Sequence, residues 1–338
     1  MKSNLKIPEK DKKIISKIIK KIKKAKTAFI TWHARPDGDA IGGGLALYRI
    51  LNSRGLDIDL ISPTDTPPVY EFLDDVKKIK TELPVNKKDI GFILDCSDKN
   101  RLENLKEIVQ HADTIINIDH HQLNQNFGDI DYVRPDSSSI CELIFNMALG
   151  INYDFEKMTS LYIYIGIFTD TNKFQEQNTT PRAHKISAEF IEHFISPVEV
   201  ASWIYGNQDL ENLHLISKAI ESLNLSPTNR VGYIIITPQM QEEIGSDDKY
   251  MEGIINYARD IKGVEVGLLF RKIDGLDGIK VSFRSKGKID VGKIAKKFGG
   301  GGHHNAAGCL IKGDFKEVTE KVIEEVENYI KLIPSIKV

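Results

Sequence analysis

Strand and helix patterns alternate along the first half of the chain, and this alternation limits the fold more than any other feature. Short apolar runs of strand length occupy residues 27–32, 56–62, 89–95 and 113–119. A helical pattern, GGGLALYRILNSRG, lies between the first two of these runs. Strands that alternate with helices predict an α/β fold with a mostly parallel, doubly wound sheet.

The order of the patterns also predicts where the chain divides. Helical patterns dominate residues 137–194, and strand patterns resume only after residue 226. A chain of 338 residues suits about two domains. We therefore expect a larger N-terminal domain over residues 1–195, a mainly helical connector over 196–226 and a smaller α/β domain over 227–338.

Composition excludes several classes of protein. The formal net charge of −2 gives no overall field that would attract nucleic acid or a membrane. The three cysteines, Cys96, Cys141 and Cys309, lack C-x-x-C spacing, so we expect neither a disulfide framework nor a zinc site. No apolar run approaches the ~18 residues of a membrane span, and the lysine-rich start lacks the apolar core of a secretory signal. We expect a soluble cytoplasmic protein.

Acidic residues and histidines follow the predicted strands. The segment TWHARPDGDAIGGG places His33, Asp37 and Asp39 directly after the first strand. Further candidates come at or near the ends of later apolar runs, and these are Asp95, Asp119, His120, His121 and Asp170. Ligands of open α/β sheets gather beyond the carboxyl ends of the strands, so we expect these side chains to converge.

Their convergence would require cations. Asp37, Asp39, Asp95 and Asp170 would bring about four negative charges together, which is strongly unfavourable unless cations neutralise them. Two divalent ions would balance that charge. A mixed imidazole and carboxylate shell suits Mn²⁺ or a similar transition metal, whereas Mg²⁺ and Ca²⁺ favour an all-oxygen set. Taken singly, an aspartate at a strand end is more often a helix cap or a loop residue than a metal ligand.

Five segments resemble the motifs of one family. HARPDGDAIGG, the single aspartate after FIL, DHH and FTDT resemble the four motifs of the DHH phosphoesterases, in that order. KVSFRSKGKIDVGKIAKKFGGGGHHNAAG resembles the companion DHH-associated domain. The resemblance implies one manganese ion on His33, Asp37 and Asp95, and a second on Asp39, Asp95, His120 and Asp170. It further implies that His121 faces the substrate phosphate and that Asp119 supports the site from behind.

The glycine run of GGGGHHNAAG predicts a close approach between the backbone and a ligand, because bare amides can donate where a Cβ would collide. The resemblance implies that His303 contacts the substrate, whereas His304 occupies a variable position. Arg284 and Ser285 are candidates to hold a phosphate, and Arg271 is a weaker one. The full set of predicted substrate contacts is Arg271, Arg284, Ser285, Gly300, Gly301, Gly302 and His303. The alternative for the glycines is a tight turn that packs against a helix.

Within the family, the chain resembles the bifunctional oligoribonucleases and 3′-phosphoadenosine-5′-phosphate phosphatases. The resemblance implies hydrolysis of very short RNA to mononucleotides, in a cleft between the two domains. The expected partners are short RNA and small nucleotides, with no membrane and no groove for a long polymer. A phosphodiesterase for linear or cyclic dinucleotides, such as those of cyclic di-AMP turnover, and a non-hydrolytic nucleotide sensor are the alternatives. The sequence leaves open whether the chain forms a homodimer.

Overall fold

A six-stranded, wholly parallel sheet forms the centre of the first unit, Met1–Asn207. The strand order is β3-β2-β1-β4-β5-β6, and every neighbouring pair is parallel. This order confirms the predicted doubly wound sheet. Its strands are β1 (Thr27–Trp32), β2 (Asp57–Ile61), β3 (Ile79–Lys80), β4 (Lys88–Leu94), β5 (Ala112–Asp119) and β6 (Ile130–Val133).

Helices cover the sheet of the first unit, and several of them begin at side-chain caps. Asp37, Ser139 and Thr180 accept hydrogen bonds from the first backbone amides of α2, α3 and α5, whose bounds follow. A 3₁₀ segment with a kink at Glu103 spans Lys99–Gln110. The helices are α1 (Glu9–Ile22), α2 (Gly38–Asn52), α3 (Ile140–Gly150), α4 (Lys157–Asp170), α5 (Pro181–His193) and α6 (Pro197–Tyr205).

The strands of the first unit are buried on both faces. Ile30 and Phe92 pack with the helices, while Phe29 and Ile93 pack on the opposite face against Leu102, Leu105 and Ile108 of the 3₁₀ segment. Burial on both faces explains why the sequence shows continuous apolar runs instead of alternation. The core therefore fixes the sheet, and the strand ends are left to carry polar side chains.

A second sheet organises the second unit, Gln208–Val338. Its strand order is β11-β12-β10-β9-β8-β7, antiparallel except for the β8–β9 pair. The strands are β7 (Asn224–Leu225), β8 (Val231–Ile236), β9 (Val266–Lys272), β10 (Ile279–Ser285), β11 (Gly301–Gly302) and β12 (Ala306–Ile311). The helices are α7 (Leu210–Glu221), α8 (Pro238–Ile244), α9 (Ile254–Arg259), α10 (Val291–Lys297) and α11 (Phe315–Lys331).

The two units meet in sequence between Asn207 and Gln208. This boundary lies inside the segment 196–226, which contains α6 on one side and α7 on the other. The computed structural model describes residues 1–207, 210–244, 253–272, 277–302 and 304–333. Among the helices of these ranges, none has the length and apolar character that crossing a lipid bilayer requires.

Candidate metal centre

The candidate site lies where the strand order of the parallel sheet reverses, between β1 and β4. Ligand sites of doubly wound sheets form in the crevice at this point, beyond the carboxyl ends of the strands. His33 follows β1 directly, Asp95 follows β4 directly, and Asp119 is the last residue of β5. The topology therefore brings polar groups from three neighbouring strands to one edge.

His33 and Asp95 face each other, with one ring nitrogen directed at the carboxylate. The Nδ1 of His33 lies 2.9 Å from the carbonyl oxygen of Ala34, and because a carbonyl only accepts, Nδ1 carries the proton. The Nε2 then turns its lone pair towards Asp95 Oδ2, at 3.2 Å. Neither His33 Nε2 nor Asp95 Oδ1 has a hydrogen-bond partner among the described residues, although both are buried. A lone pair that faces a carboxylate in this way requires a cation or a proton between them.

The backbone of Asp95 is held in an uncommon conformation. Its φ is +51°, in the left-handed region that non-glycine residues rarely adopt. Its amide donates to the carbonyl oxygen of Ile118 on β5, at 2.9 Å. This strained residue directly follows β4 and directs its carboxylate into the crevice. Functional sites often retain backbone strain of this kind.

Asp37 and Asp39 are positioned by helix termini. Asp37 caps α2, and its Oδ1 accepts from the amides of Asp39 and Ala40, both at 3.0 Å. The carboxylate of Asp39 is fully buried and accepts from the amides of Ile140, at 2.6 Å, and Cys141, at 3.0 Å. The start of α3 therefore fixes the orientation of Asp39.

Asp119 orients the two adjacent histidines. Its Oδ1 accepts from the backbone amide of His120, at 2.8 Å, and from Nδ1 of His121, at 2.7 Å. His120 Nδ1 lies 3.4 Å from the carbonyl oxygen of Ser137, so its Nε2 points towards Asp95 and Asp170, each 3.6 Å away. Carboxylate or carbonyl partners on Nδ1 are typical of histidines that bind a metal through Nε2.

Asp170 ends α4 and is held by Asn178. The side-chain nitrogen Nδ2 of Asn178 donates to Asp170 Oδ2, at 2.9 Å, to the Asp170 carbonyl, at 3.1 Å, and to the Ser138 carbonyl, at 2.8 Å. Asn178 thus joins α4 to the segment before α3. No sequence pattern indicates this residue, because its partner Ser138 lies 40 positions away.

Ligand atoms in this site form three overlapping groups. In each group one atom from every residue lies within 4.8 Å of the others, and the groups are His33, Asp37 and Asp95; Asp95, His120 and His121; and Asp39, His120 and Asp170. The structure therefore brings together all six residues predicted as metal ligands, with Asp95 and His120 each shared by two groups. Nitrogen and oxygen atoms in these numbers fit divalent transition metals.

The electrostatics of the site favour cations. Burial, together with the neighbouring carboxylates, raises the pKa of Asp39 and of Asp170 well above the usual range. Burial would also raise the pKa of Asp95, but His33 and the other histidines offset this and hold it well below the usual range. Burial lowers the pKa of His33, and Asp95 more than compensates, so that pKa is raised. The site thus holds more negative charge than its own histidines can neutralise.

Arg101 is a site residue that the sequence did not reveal. Its Nη1 lies 3.2 Å from His121 Nε2 and donates to the Asp95 carbonyl, at 3.4 Å. Since Asp119 accepts the Nδ1 proton of His121, Nε2 is the acceptor for Arg101. The residue lies in the 3₁₀ segment, and the polar pattern around it resembles an ordinary surface. A guanidinium therefore stands at the edge of His121, where a phosphate oxygen could bind.

Gly166 gives Asp39 its space. A Cβ at this position in α4 would overlap the sulfur of Cys141 and lie 2.7 Å from Asp39 Oδ1. Its sequence signal is an isolated glycine inside a helical pattern, which is costly unless packing requires it. Here the packing of a ligand carboxylate supplies that reason.

The predicted substrate residues of the second unit have local roles that can be read directly. Ser285 is buried, and its hydroxyl donates to the Ile289 carbonyl, at 2.6 Å. Arg284 on β10 is half-buried and donates to the Phe283 carbonyl, at 3.1 Å, and Arg271 on β9 is buried. His304 Nε2 lies 3.2 Å from the Gly287 carbonyl. His303 lies outside the described residues.

The three glycines predicted to contact the substrate, Gly300, Gly301 and Gly302, differ in what surrounds them. A Cβ on Gly300 would overlap the Gly308 carbonyl oxygen, and one on Gly302 would overlap the Ala306 carbonyl oxygen. Both glycines are therefore required for the close approach to β12. Among the described residues, no atom lies within 4 Å of the position that a Cβ on Gly301 would take. Of these three glycines, Gly301 alone therefore leaves room for another group.

Known protein families match both units of the chain. Residues 27–167 match the DHH family, N-terminal domain, and residues 232–332 match the DHHA1 domain. A relative from Thermus thermophilus, named bifunctional oligoribonuclease and PAP phosphatase NrnA, is 30% identical over 304 residues, which cover 88% of each chain. The chain belongs to the DHH family.

Two further similarities extend over nearly the whole DHH-family chain. A protein of the same name from Bacillus subtilis is 25% identical, over 94% of this chain and 98% of the relative. The crystal structure of an exopolyphosphatase-related protein from Bacteroides fragilis has a TM-score of 0.87 and 26% identity, over 95% of this chain and 97% of that one. These similarities extend beyond the DHH domain and include the C-terminal unit.

Proposed function

We propose that this DHH-family chain is a metal-dependent phosphoesterase. It hydrolyses very short oligoribonucleotides to mononucleotides and removes the 3′-phosphate of 3′-phosphoadenosine-5′-phosphate. The observation that carries this proposal is the buried pair His33 and Asp95, in which a nitrogen lone pair faces a carboxylate oxygen at 3.2 Å among further carboxylates. The names of the relatives from Thermus thermophilus and Bacillus subtilis support the substrate class.

The ligand groups suggest two ions, and we propose manganese. His33, Asp37 and Asp95 would hold one ion, and Asp39, His120 and Asp170 would hold the other, with Asp95 between them. Bound divalent ions supply a water activated at neutral pH and take up charge on the phosphate oxygens. The residues around them keep each ligand in a single orientation, which such chemistry requires.

His121 and Arg101 are proposed to face the phosphate, with Asp119 supporting His121 from behind. Asp119 is buried and fixes the Nδ1 proton of His121, so the Nε2 edge is turned towards Arg101. A phosphate oxygen at this edge would accept hydrogen bonds from the guanidinium, which suits phosphate geometry. Substrate charge would then be balanced by Arg101 in addition to the ions.

The second unit is proposed to hold the rest of the substrate. Arg284, Arg271 and His303 are the predicted contacts, and the open space at Gly301 supports an approach of a ligand to the backbone there. Gly300 and Gly302 support this indirectly, because they let β11 lie against β12. The hydroxyl of Ser285 is already used by the loop, so it would contact a phosphate only as a shared group.

A length series tests the proposed activity. The full chain, loaded with Mn²⁺, is incubated with labelled RNAs of two to twenty-four nucleotides, with 3′-phosphoadenosine-5′-phosphate and with cyclic di-AMP. We expect rapid release of mononucleotides from the shortest RNAs, phosphate release from the 3′-phosphorylated nucleotide, and slow reaction of the longest RNAs. Equal rates at all lengths, or reaction of cyclic di-AMP alone, would contradict the proposal.

The contribution of the second unit is tested on two substrates. Arg284→Ala should lower kcat/KM for a dinucleotide by about ten- to a hundredfold, the loss expected for one charge-assisted contact. Its rate on an activated phosphodiester, which needs only the metal centre, should change much less. Lys316→Ala on the exposed side of α11 is the matched control. Equal losses on both substrates would mean that Arg284 serves folding instead of binding.

A further inference from the structure

A cavity of about 310 Å³ lies in the first unit, and none of the proposed metal ligands lines it. It is bounded by the start of α1, the start of α5 and the segment from Arg134 to Leu143. Its volume is at the lower end of the range for small-molecule sites, about 300–1,000 Å³. The lining is dominated by charge, with four cations (Lys10, Arg134, Arg182, Lys185) and three carboxylates (Asp11, Asp136, Glu142).

Two of the four cations are neutralised by carboxylates of the lining. Arg134 Nε donates to Asp11 Oδ1 at 2.6 Å, and its Nη1 and Nη2 donate to backbone carbonyls. Lys10 forms an ion pair with Asp136. These two pairs leave little positive charge for a ligand, so the remaining cations decide what the cavity attracts.

Arg182 and Lys185 are the cations that remain. Among the described residues, neither has a carboxylate within 4 Å of its nitrogen atoms, and the partner of Arg182 is the amide oxygen of Asn146, which accepts from Nε and Nη2. The Nη1 of Arg182 has no hydrogen-bond partner within that part of the chain, and the guanidinium lies over the Phe145 ring, 5.8 Å from its centroid. Burial lowers the pKa of Arg182 below its usual value, so water solvates this charge incompletely. A partly desolvated guanidinium beside an exposed lysine favours an anion.

The remaining carboxylate of the lining, Glu142, offsets only part of this charge, although it attracts Arg182. Its Oε2 accepts from the amide and hydroxyl of Ser138, at 3.3 and 2.8 Å, and from the hydroxyl of Thr180, at 3.1 Å. These three uncharged donors hold Glu142 within the wall. The cavity therefore carries one positive charge more than it carries negative charges.

We propose that this cavity binds a phosphate group, either as inorganic phosphate or on a nucleoside monophosphate, through Arg182 and Lys185. The guanidinium offers the Nη1 hydrogens, and Lys185 adds a mobile ammonium from one turn along α5. A phosphate group fits the volume, and its charge complements Arg182 and Lys185, which form no salt bridge among the described residues. The site is separate from the metal centre and does not depend on the activity proposed for it.

Calorimetric titration of metal-free protein tests the proposal. Phosphate and AMP are titrated separately into the full chain in the presence of EDTA, because without metal the acidic centre repels anions. We expect saturable binding of phosphate, with AMP binding as well or better. Arg182→Met and Lys185→Met should each weaken binding by at least about tenfold. Lys24→Met, an exposed lysine near the end of the first helix, is the matched control and should leave binding unchanged.

One further variant, Arg284→Met, reports on the phosphate site predicted in the second unit. Lys185→Met alters an exposed side chain, so it tests the cavity even where Arg182→Met fails to fold. Thermal unfolding of each variant identifies a folding defect. Loss of phosphate binding in Arg284→Met with full binding in Lys185→Met, or no saturable binding to the wild-type chain, would overturn the proposal.

Discussion

Replacement of Gly166 by alanine tests how the fold makes room for a ligand carboxylate. In an exposed helix this change would stabilise the protein by about 1 kcal/mol. Here the new Cβ would overlap the Cys141 sulfur and approach Asp39 Oδ1 to 2.7 Å, closer than a Cβ tolerates. Overpacking of this kind costs about 1–3 kcal/mol. We therefore expect a net loss of up to about 2 kcal/mol in the free energy of unfolding.

The same replacement should weaken metal binding. A displaced Asp39 would lose its bonds to the amides of Ile140 and Cys141, and misorientation of this kind lowers metal affinity by about 10- to 100-fold. Urea unfolding in EDTA measures the stability, and calorimetric titration with Mn²⁺ measures the affinity. Adding Cys141→Ala should recover part of the stability but not the affinity, because the contact with Asp39 remains. Wild-type stability together with wild-type affinity in Gly166→Ala would refute this reasoning.

Three further predictions concern the charges and supports of the site. Because the pKa values of Asp39 and Asp170 are raised, the stability that they contribute is complete below about pH 4 and is lost as the pH rises through their raised values. The melting temperature of EDTA-treated protein should thus fall as the pH rises from about 4 through these raised pKa values, and Mn²⁺ should restore more at the higher pH; a rise without metal would contradict this. Asn178→Ala should lower Mn²⁺ affinity about tenfold in calorimetry with little change in melting temperature, since it removes a support of Asp170; unchanged affinity would show that the support is dispensable. Arg101→Met should lower kcat/KM on a dinucleotide by about ten- to a hundredfold while metal stoichiometry by mass spectrometry stays constant, and a loss of metal would instead make Arg101 a structural partner of His121.

The parallel sheet is predicted well from the sequence because each buried strand corresponds to a short, continuous apolar run. Continuous apolar runs identify β1, β4 and β5, and acidic residues at their ends indicate where a charged crevice forms. Strand β6 is missed, since its sequence IDYV alternates with polar residues and resembles a loop. Strand β12 is missed because it begins inside the glycine-rich segment, whose composition is typical of a turn.

The supports of the site could not be predicted from sequence, because they depend on contacts between distant segments. Asn178 and Arg101 act through Ser138 and His121, and no spacing rule relates such pairs. At Gly300 the sequence suggests a function that the structure does not require. The glycine-rich segment around it predicts a ligand contact, but a Cβ on Gly300 would overlap the Gly308 carbonyl oxygen, so strand packing already requires a glycine there.

Metal-dependent turnover of a dinucleotide by wild-type protein and by Asp95→Asn tests the central claim most directly. Asp95 lies within reach of His33, His120 and His121, so the amide should disturb every ligand group that shares it. The account predicts no product from chelated wild-type protein, mononucleotides after Mn²⁺ is added, and a loss in Asp95→Asn greater than the roughly 10- to 100-fold typical of residues that only orient a ligand. Turnover by chelated protein, or by Asp95→Asn at close to the wild-type rate, would contradict it.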